Sequence, residues 1–247
     1  MYYTLPMKFN PNIKEFFRRI KYELKGNKSI FFDHVADSFY EFHQNRLRGD
    51  ETMIKEKQKI YVPFIKKVPK STLKHYEFLD CGFGRGEFLE ILRDLRIPKI
   101  IGVDTNKNFV ATARKKGFNA IEDDAIKYLY VHEKKYSGIS AFHLIEHLTF
   151  YELFDFLLIC QKKLAKGGIL ILETPNIENV IVSTRTFYYD PTHIQKVPSI
   201  FLLTLLEFFG FKNTAFLPLH ASNESKKNEI ERLMFGPQDM GVVVYSR

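Results

Sequence analysis

The feature that most limits what this chain can become is the run Asp80-Cys81-Gly82-Phe83-Gly84-Arg85-Gly86, which ends an apolar stretch and opens a helical pattern. Three glycines at alternate positions let the backbone turn sharply and approach a ligand with no Cβ atoms intervening. A chain with that turn is committed to a strand–loop–helix unit, hence to a sheet with crossover helices. Taken alone, the turn is also compatible with binding nothing.

From Tyr76 onward short apolar runs alternate with helical patterns, as in a parallel sheet covered on both faces. Seven strands are expected, at Tyr76–Cys81, Lys99–Val103, Ala120–Glu122, Gly138–Leu144, Gly168–Glu173, Thr214–Leu219 and Val242–Tyr245. Helices are expected at Gly86–Leu95, Asn106–Lys116, Phe150–Leu164 and Ser199–Phe209, with Lys166-Gly167-Gly168 as the stop after the third. The fold class is therefore α/β, a Rossmann-like, mostly parallel seven-stranded sheet with helices on both faces. Residues 76–247 form that domain; residues 1–75 are a basic, largely helical extension read as a lid, with a helical pattern from Asp33 to Val62.

Charge is unevenly spread. Residues 1–75 hold 16 Lys/Arg against 8 Asp/Glu, and the remainder holds 21 of each. Such a bias attracts anions, whether a phosphorylated substrate, nucleic acid or an anionic membrane surface, and is equally the mark of a solvated basic face. No apolar run approaches the ~20 residues that span a bilayer, so membrane contact would be peripheral. The start lacks a signal-peptide pattern, and two cysteines in unlike contexts, Cys81 and Cys160, suggest neither disulfide nor thiolate zinc site. These features fit a cytoplasmic protein.

Asp104 ends the second strand 18 residues beyond Gly86, where a carboxylate accepts from ribose hydroxyls. The G-x-G-x-G spacing is shorter than the dinucleotide fingerprint G-x-G-x-x-G and suits a ligand with an amino-acid portion and no pyrophosphate, whose ammonium Asp80 helps to hold. Asp124-Ala125 after the third strand fits an adenine edge or a helix N-cap, with Asp123 a rival for either.

These residues, together with Glu87-Phe88-Leu89 and Leu164-Ala165-Lys166-Gly167-Gly168, resemble the class I S-adenosylmethionine-dependent methyltransferases over about Tyr76 to Phe211. The resemblance implies S-adenosyl-L-methionine as cofactor and S-adenosyl-L-homocysteine as product, bound by Asp80, Gly82, Gly84, Gly86, Asp104, Asp124, Ala125 and His143. Four further stretches resemble a bacterial subgroup associated with surface-polysaccharide (O-antigen and capsule) methylation. They are Ala141–Leu148, Glu173-Thr174-Pro175-Asn176, Phe187–His193 and Arg48-Gly49-Asp50. That narrower resemblance implies a sugar-hydroxyl or phosphate-type oxygen of a small molecule or glycan precursor as acceptor.

Ligands of such sheets sit beyond the carboxyl ends of the strands. His143, Glu146, Asp190 and His193 are the catalytic candidates: a hydroxyl must lose a proton, His143 and His193 are the bases, and Asp190 orients His193. A phosphate acceptor needs no base and would be held by Arg185, Arg46 and Arg48. The long connection Ile177–Val197, with Tyr188 and Tyr189, reads as a substrate wall. His143-x-x-Glu146-His147 also matches the inverted zinc-peptidase motif, but His143 at a strand end in a glycine-loop fold argues against it, and no metal is expected. Glu146 and His147 are also compatible with a purely structural role. Methylation of RNA or protein is the rival enzyme reading, supported by the basic extension and opposed by Thr174-Pro175-Asn176, which is not an amino-methylating Asn/Asp-Pro-Pro-Tyr motif. A non-catalytic cofactor-binding regulator is the third reading.

Overall fold

The computed structural model describes residues 30–222 and 228–246; the first 29 residues of the basic extension lie outside the described residues. The chain divides into two compact units, Met1–Leu47 and Arg48–Arg247. The described part of the first is one helix, α1 (Ile30–Leu47).

The larger unit starts with α2 (Glu51–Gln58), α3 (Val62–Ile65) and α4 (Lys70–His75), then alternates strand and helix. The order is β1 (Glu77–Cys81), α5 (Glu87–Asp94), β2 (Ile100–Asp104), α6 (Lys107–Lys115), β3 (Ala120–Glu122), α7 (Ala125–Val131), β4 (Tyr136–Phe142), α8 (Phe150–Lys163), β5 (Leu164–Pro175), α9 (Val180–Thr184), α10 (Ser199–Phe208), β6 (Lys212–Leu219), α11 (Glu229–Phe235) and β7 (Asp239–Tyr245). The seven strands lie in the order β3-β2-β1-β4-β5-β7-β6. Strands β1 to β5 pair in parallel, while β7 runs antiparallel to both β5 and β6.

Period-two alternation divides the apolar strand residues between two cores. Leu79, Ile139, Leu170, Leu172, Val242 and Val244 face α7, α8 and α10. Phe78, Ile169, Ile171 and Val243 face Tyr61, Ile65, Val68 and the α5 residues Phe88, Ile91 and Leu92. This explains why the strands read as apolar runs: each face has its own layer. It also packs residues 51–75, expected to belong to a lid, onto the larger unit through Tyr61, Ile65 and Val68, which enter its core.

Two expectations change. The helical pattern Asp33–Val62 is interrupted at Arg48–Asp50, where Gly49 adopts φ +95° and Asp50 caps α2 through Met53 N–H at 2.9 Å. Helix α8 ends at Lys163, because Leu164 is extended and pairs with Tyr136; Lys166-Gly167-Gly168 lies inside β5 across a register shift. The capping box Thr149-x-x-Glu152 fixes the start of α8. Among the described residues no helix is long and apolar enough to cross a membrane.

Candidate active site

The glycine turn forms as expected: Gly82, Gly84 and Gly86 have φ of +64°, +56° and +90°, values that other L-residues rarely adopt. The turn is braced from two sides. Asp104 at the end of β2 accepts from Gly84 N–H (2.8 Å) through Oδ2 and from Asn106 N–H (2.8 Å) through Oδ1. Arg85 pairs with Glu87 (Nη2–Oε1 2.8 Å) and donates to the Gly49 carbonyl (2.8 Å), tying the turn to the segment before α2. A Cβ on Gly84 would lie 3.4 Å from Arg48 Nη1, so Arg48 stands over the glycine loop.

Asp80 is paired across β1 and β4 with Ser140, whose hydroxyl donates to Oδ1 at 2.7 Å. Its Oδ2 is buried with no partner. Burial pushes the Asp80 pKa up to about 7, helped by the charges of Asp104 and Glu87 and opposed by Ser140 and Arg48. A buried, unpartnered carboxylate oxygen beside a side-chain-free loop fits a ligand bearing an ammonium group. Asp124 caps α7 through Lys127 N–H at 2.8 Å, so the N-cap role is realised. Asp123 is engaged by Asp124 N–H and the Lys127 ammonium.

Beyond β4 the chain turns through His143, which adopts φ +51°. Its Nδ1 lies 3.1 Å from Glu146 Oε1, and its Nε2 lies 3.5 Å from Glu173 Oε1 and 3.8 Å from Asp239 Oδ1. Burial alone would push the imidazolium pKa down. The hydrogen bonds to Glu146 and Glu173 and the charge of Asp239 outweigh it and raise the pKa to about 10. For Glu146 burial again opposes the charged form, but His143 wins and holds the carboxyl below its usual range. With both ring nitrogens facing carboxylates, His143 is an ion-pair partner with no free lone pair, unlike the base expected from sequence.

Glu146, fully buried, also accepts from Thr174 Oγ1 at 2.9 Å. Its carbonyl receives Ile194 N–H and Gln195 N–H, both at 3.0 Å, which draws the connection after β5 over it. His193 arrives on that connection with Nε2 3.8 Å from Glu146 Oε1 and Nδ1 2.7 Å from the Phe187 carbonyl. Burial is the main reason its pKa is lowered, with His147 adding to it. The rings of His147 and His193 meet edge to face at 4.7 Å. Asp190 meets His193 through the backbone, His193 N–H donating to its carbonyl at 3.3 Å, while its carboxylate is engaged by Thr192. The carboxylate accepts from Thr192 N–H (2.9 Å) and Thr192 Oγ1–H (2.5 Å), and Thr192 in turn contacts His147.

Tyr188 and Tyr189 are exposed on the same connection. The Arg185 guanidinium lies 5.9 Å from the Tyr189 ring centre and the Lys196 ammonium 4.8 Å from that of Tyr188. Arg46 belongs to α1, in the other compact unit.

Three residues at this end had no place in the reading of the sequence, Tyr61, His220 and Asp239, and Glu173 figured only within the stretch Glu173-Thr174-Pro175-Asn176. Tyr61 O–H donates to Glu173 Oε2 at 2.6 Å, and His220 Nδ1 lies 2.8 Å from Asp239 Oδ2. Antiparallel β7 brings in Asp239 and sets it beside His220, since Asp239 pairs with Pro175 at the end of β5 and Leu219 at the end of β6; Glu173 lies on β5 itself, and Tyr61 packs onto the sheet from the segment before β1.

A family model described as a methyltransferase domain matches residues 51–215. No curated protein matches the sequence. Among solved structures, a SAM-dependent methyltransferase from Archaeoglobus fulgidus is similar at 28% identity and TM-score 0.74, over 84% of this chain and all of that one. Magnesium protoporphyrin IX methyltransferase from Synechocystis PCC 6803 with bound SAM shares the fold at 14% identity and TM-score 0.56, over 91% of this chain and 99% of that one. The plantazolicin methyltransferase, in complex with a triazolic desmethylPZN analogue and SAH, does so at 16% identity and TM-score 0.56, over 87% and 92%.

Proposed function

The chain belongs to the class I S-adenosylmethionine-dependent methyltransferases, and we propose that it methylates an oxygen, a hydroxyl of a small molecule or glycan precursor. When bound, the cofactor supplies a methyl group on positively charged sulfur and leaves as S-adenosylhomocysteine. Asp80 Oδ2 receives the cofactor ammonium, Asp104 its ribose, and the glycine turn passes beside it; Asp124 and Ala125 take the adenine edge.

The observation that carries the acceptor reading is the meeting of Glu146 Oε1 and His193 Nε2 at 3.8 Å beyond the end of β4. The end of β4 adjoins the glycine loop: a Cβ on Gly82 would lie 3.1 Å from Leu144 Cδ1. Since His193 Nδ1 faces the Phe187 carbonyl, its proton is there and Nε2 is an acceptor. An O–H entering between two acceptors donates to one of them, which fixes the oxygen and turns a lone pair outward. Holding nucleophile and methyl in line, with water excluded, supplies most of the rate in such a displacement. The carboxylates of Glu146, Glu173 and Asp239 favour a neutral hydroxyl over a phosphate, whose charge they would repel. Tyr188 and Tyr189 offer flat apolar faces of the kind on which a sugar ring stacks. A glycan of the surface-polysaccharide type fits this wall and rests on the four motif stretches quoted above.

The test is transfer of an isotopically labelled methyl group to a panel of sugars, sugar acids, sugar phosphates and amines, with the methylated atom identified by NMR. The reading expects a methyl ether. A methyl phosphate ester or an N-methyl product would overturn it.

A further inference from the structure

We infer that the outer face of α8 and α10 binds a second copy of this chain about a two-fold axis, with the two α8 helices antiparallel. Helix α10 is apolar at every position except Ser199, Thr204 and Glu207. A helix apolar all round belongs in a core, yet only Leu202, Leu205 and Leu206 of α10 are buried. Ile200 is 71% exposed and Phe208 72%. The apolar surface continues onto α8, where Phe150 is 44% exposed and Tyr151 78%. Phe154 links the two helices, its ring centre 6.1 Å from that of Phe208 and 4.7 Å from that of Phe209, and Phe150 lies 6.1 Å from Phe201. At about 150–250 Å² per aromatic side chain, Phe150, Tyr151 and Phe208 leave on the order of 400 Å² open, and Ile200 adds to it. A patch of that size marks an interaction site and supplies about half of the ~800 Å² per partner in a standard interface.

Charge identifies the occupant. The outer stripe of α8 runs through Tyr151, Asp155, Leu158, Ile159 and Lys162, a spacing that keeps them on one side of the helix. Glu152 adds a second exposed acid to its amino half. Its carboxyl half borders a cleft of about 410 Å³ lined by Ile159 and by Lys134, Lys135, Lys162 and Lys163, with Glu133 as the one acid. One end of the face is therefore acidic and aromatic, and the other is basic and hollow. Such a surface is complementary to itself when turned through a two-fold axis.

The axis falls at Leu158 and Ile159, midway between Asp155 and Lys162, which lie about 10 Å apart along α8 at about 1.5 Å per residue. Each Asp155 then stands opposite Lys162 of the other copy, and Glu152, beyond it, faces the lysine-lined cleft. Leu158 and Ile159 meet their own counterparts at the centre, and Phe208 closes the flank. A lipid surface fits this face less well. Helices that lie on membranes carry Lys and Arg around the apolar side, whereas exposed Glu152, Asp155 and Glu207 rim this one and repel anionic headgroups.

The test is sedimentation equilibrium of the full-length, tag-free chain over a micromolar to submillimolar range. A mass of twice 29.1 kDa is expected. Asp155→Lys and Lys162→Glu should each weaken association at least tenfold, and the double variant, with the charges exchanged, should return to near wild type. Phe208→Ser, at an exposed position, should give a monomer that still unfolds cooperatively. A wild-type chain that stays monomeric at the highest concentration would overturn the proposal, as would a dimer that Phe208→Ser leaves intact. A double variant as weak as either single one would overturn the antiparallel arrangement. A monomeric chain retained on vesicles of phosphatidylglycerol and phosphatidylcholine, and released by Phe208→Ser, would give the face to lipid instead.

Discussion

Asp80 makes the cofactor site sensitive to pH in a way that can be worked out from the structure. Its Oδ2 is buried without a partner, and burial raises its pKa to about 7 in the free chain. An ammonium group against that oxygen favours the charged form and returns the pKa to the ordinary carboxylate range. Below the free-chain value the carboxyl must lose a proton before it can receive the ligand, so affinity falls about tenfold for each pH unit. Between pH 8 and pH 5 S-adenosylhomocysteine should lose about 100-fold, or about 2.7 kcal/mol at 1.36 kcal/mol per unit. Asp80→Asn should bind ten- to a hundredfold more weakly at pH 8, from loss of a charge-assisted hydrogen bond worth about 1.5–3 kcal/mol, and its affinity should be nearly flat with pH. The stability linkage has the matching sign. With a folded pKa above the unfolded one, the Asp80 contribution to stability is present at low pH and is lost as pH rises towards 7, so the cofactor-free chain should melt lower at pH 8 than Asp80→Asn does. Calorimetry across pH decides the matter: an equal slope in wild type and Asp80→Asn would refute the assignment.

Other consequences follow from single contacts. Gly84→Arg places a side chain in the ligand cradle at φ +56°, at a backbone cost of about 1–2 kcal/mol, so thermal unfolding should stay cooperative while cofactor binding is lost. Tyr61→Phe removes the 2.6 Å hydrogen bond to buried Glu173. At about 1.5–3 kcal/mol, and about 2–4 °C per kcal/mol for a unit of this size, Tm should fall by roughly 3–12 °C in differential scanning calorimetry; an unchanged Tm would remove Tyr61 from the network. His193→Ala should bind S-adenosylhomocysteine like wild type yet lose at least tenfold in turnover, and unchanged turnover would exclude His193 from acceptor activation.

How much of this could be read from the residues alone depends on whether the interaction is local. The glycine turn, the strand before it and the acid at Asp104 are neighbours in sequence and lie where the spacing puts them. Apolar runs such as Phe78–Cys81 and Ile169–Leu172 announce strands covered on both faces, and both faces are covered. Asp190 does meet His193, but through its carbonyl, because the nearby Thr192 hydroxyl and N–H take its carboxylate through a tight local turn. Two partners of His143 were harder to read. Glu173 comes beside it through the parallel pairing of Phe142 with Glu173 across β4 and β5, and Asp239 through the reversal of β7; strand direction at a sheet edge leaves no mark in local periodicity. Tyr61 was hidden likewise: it reads as part of a basic helical extension, and only packing against the sheet shows that segment to be core.

The central claim is that the cofactor lies between Asp80 and the Glu146–His193 pair with its sulfur end towards the latter. A crystal structure of the chain with S-adenosylhomocysteine tests this most directly. The account predicts the ligand ammonium within hydrogen-bonding distance of Asp80 Oδ2 and the sulfur facing the space between Glu146 Oε1 and His193 Nε2. A sulfur pointing away from that pair, or an ammonium held elsewhere with Asp80 still unpartnered, would contradict it.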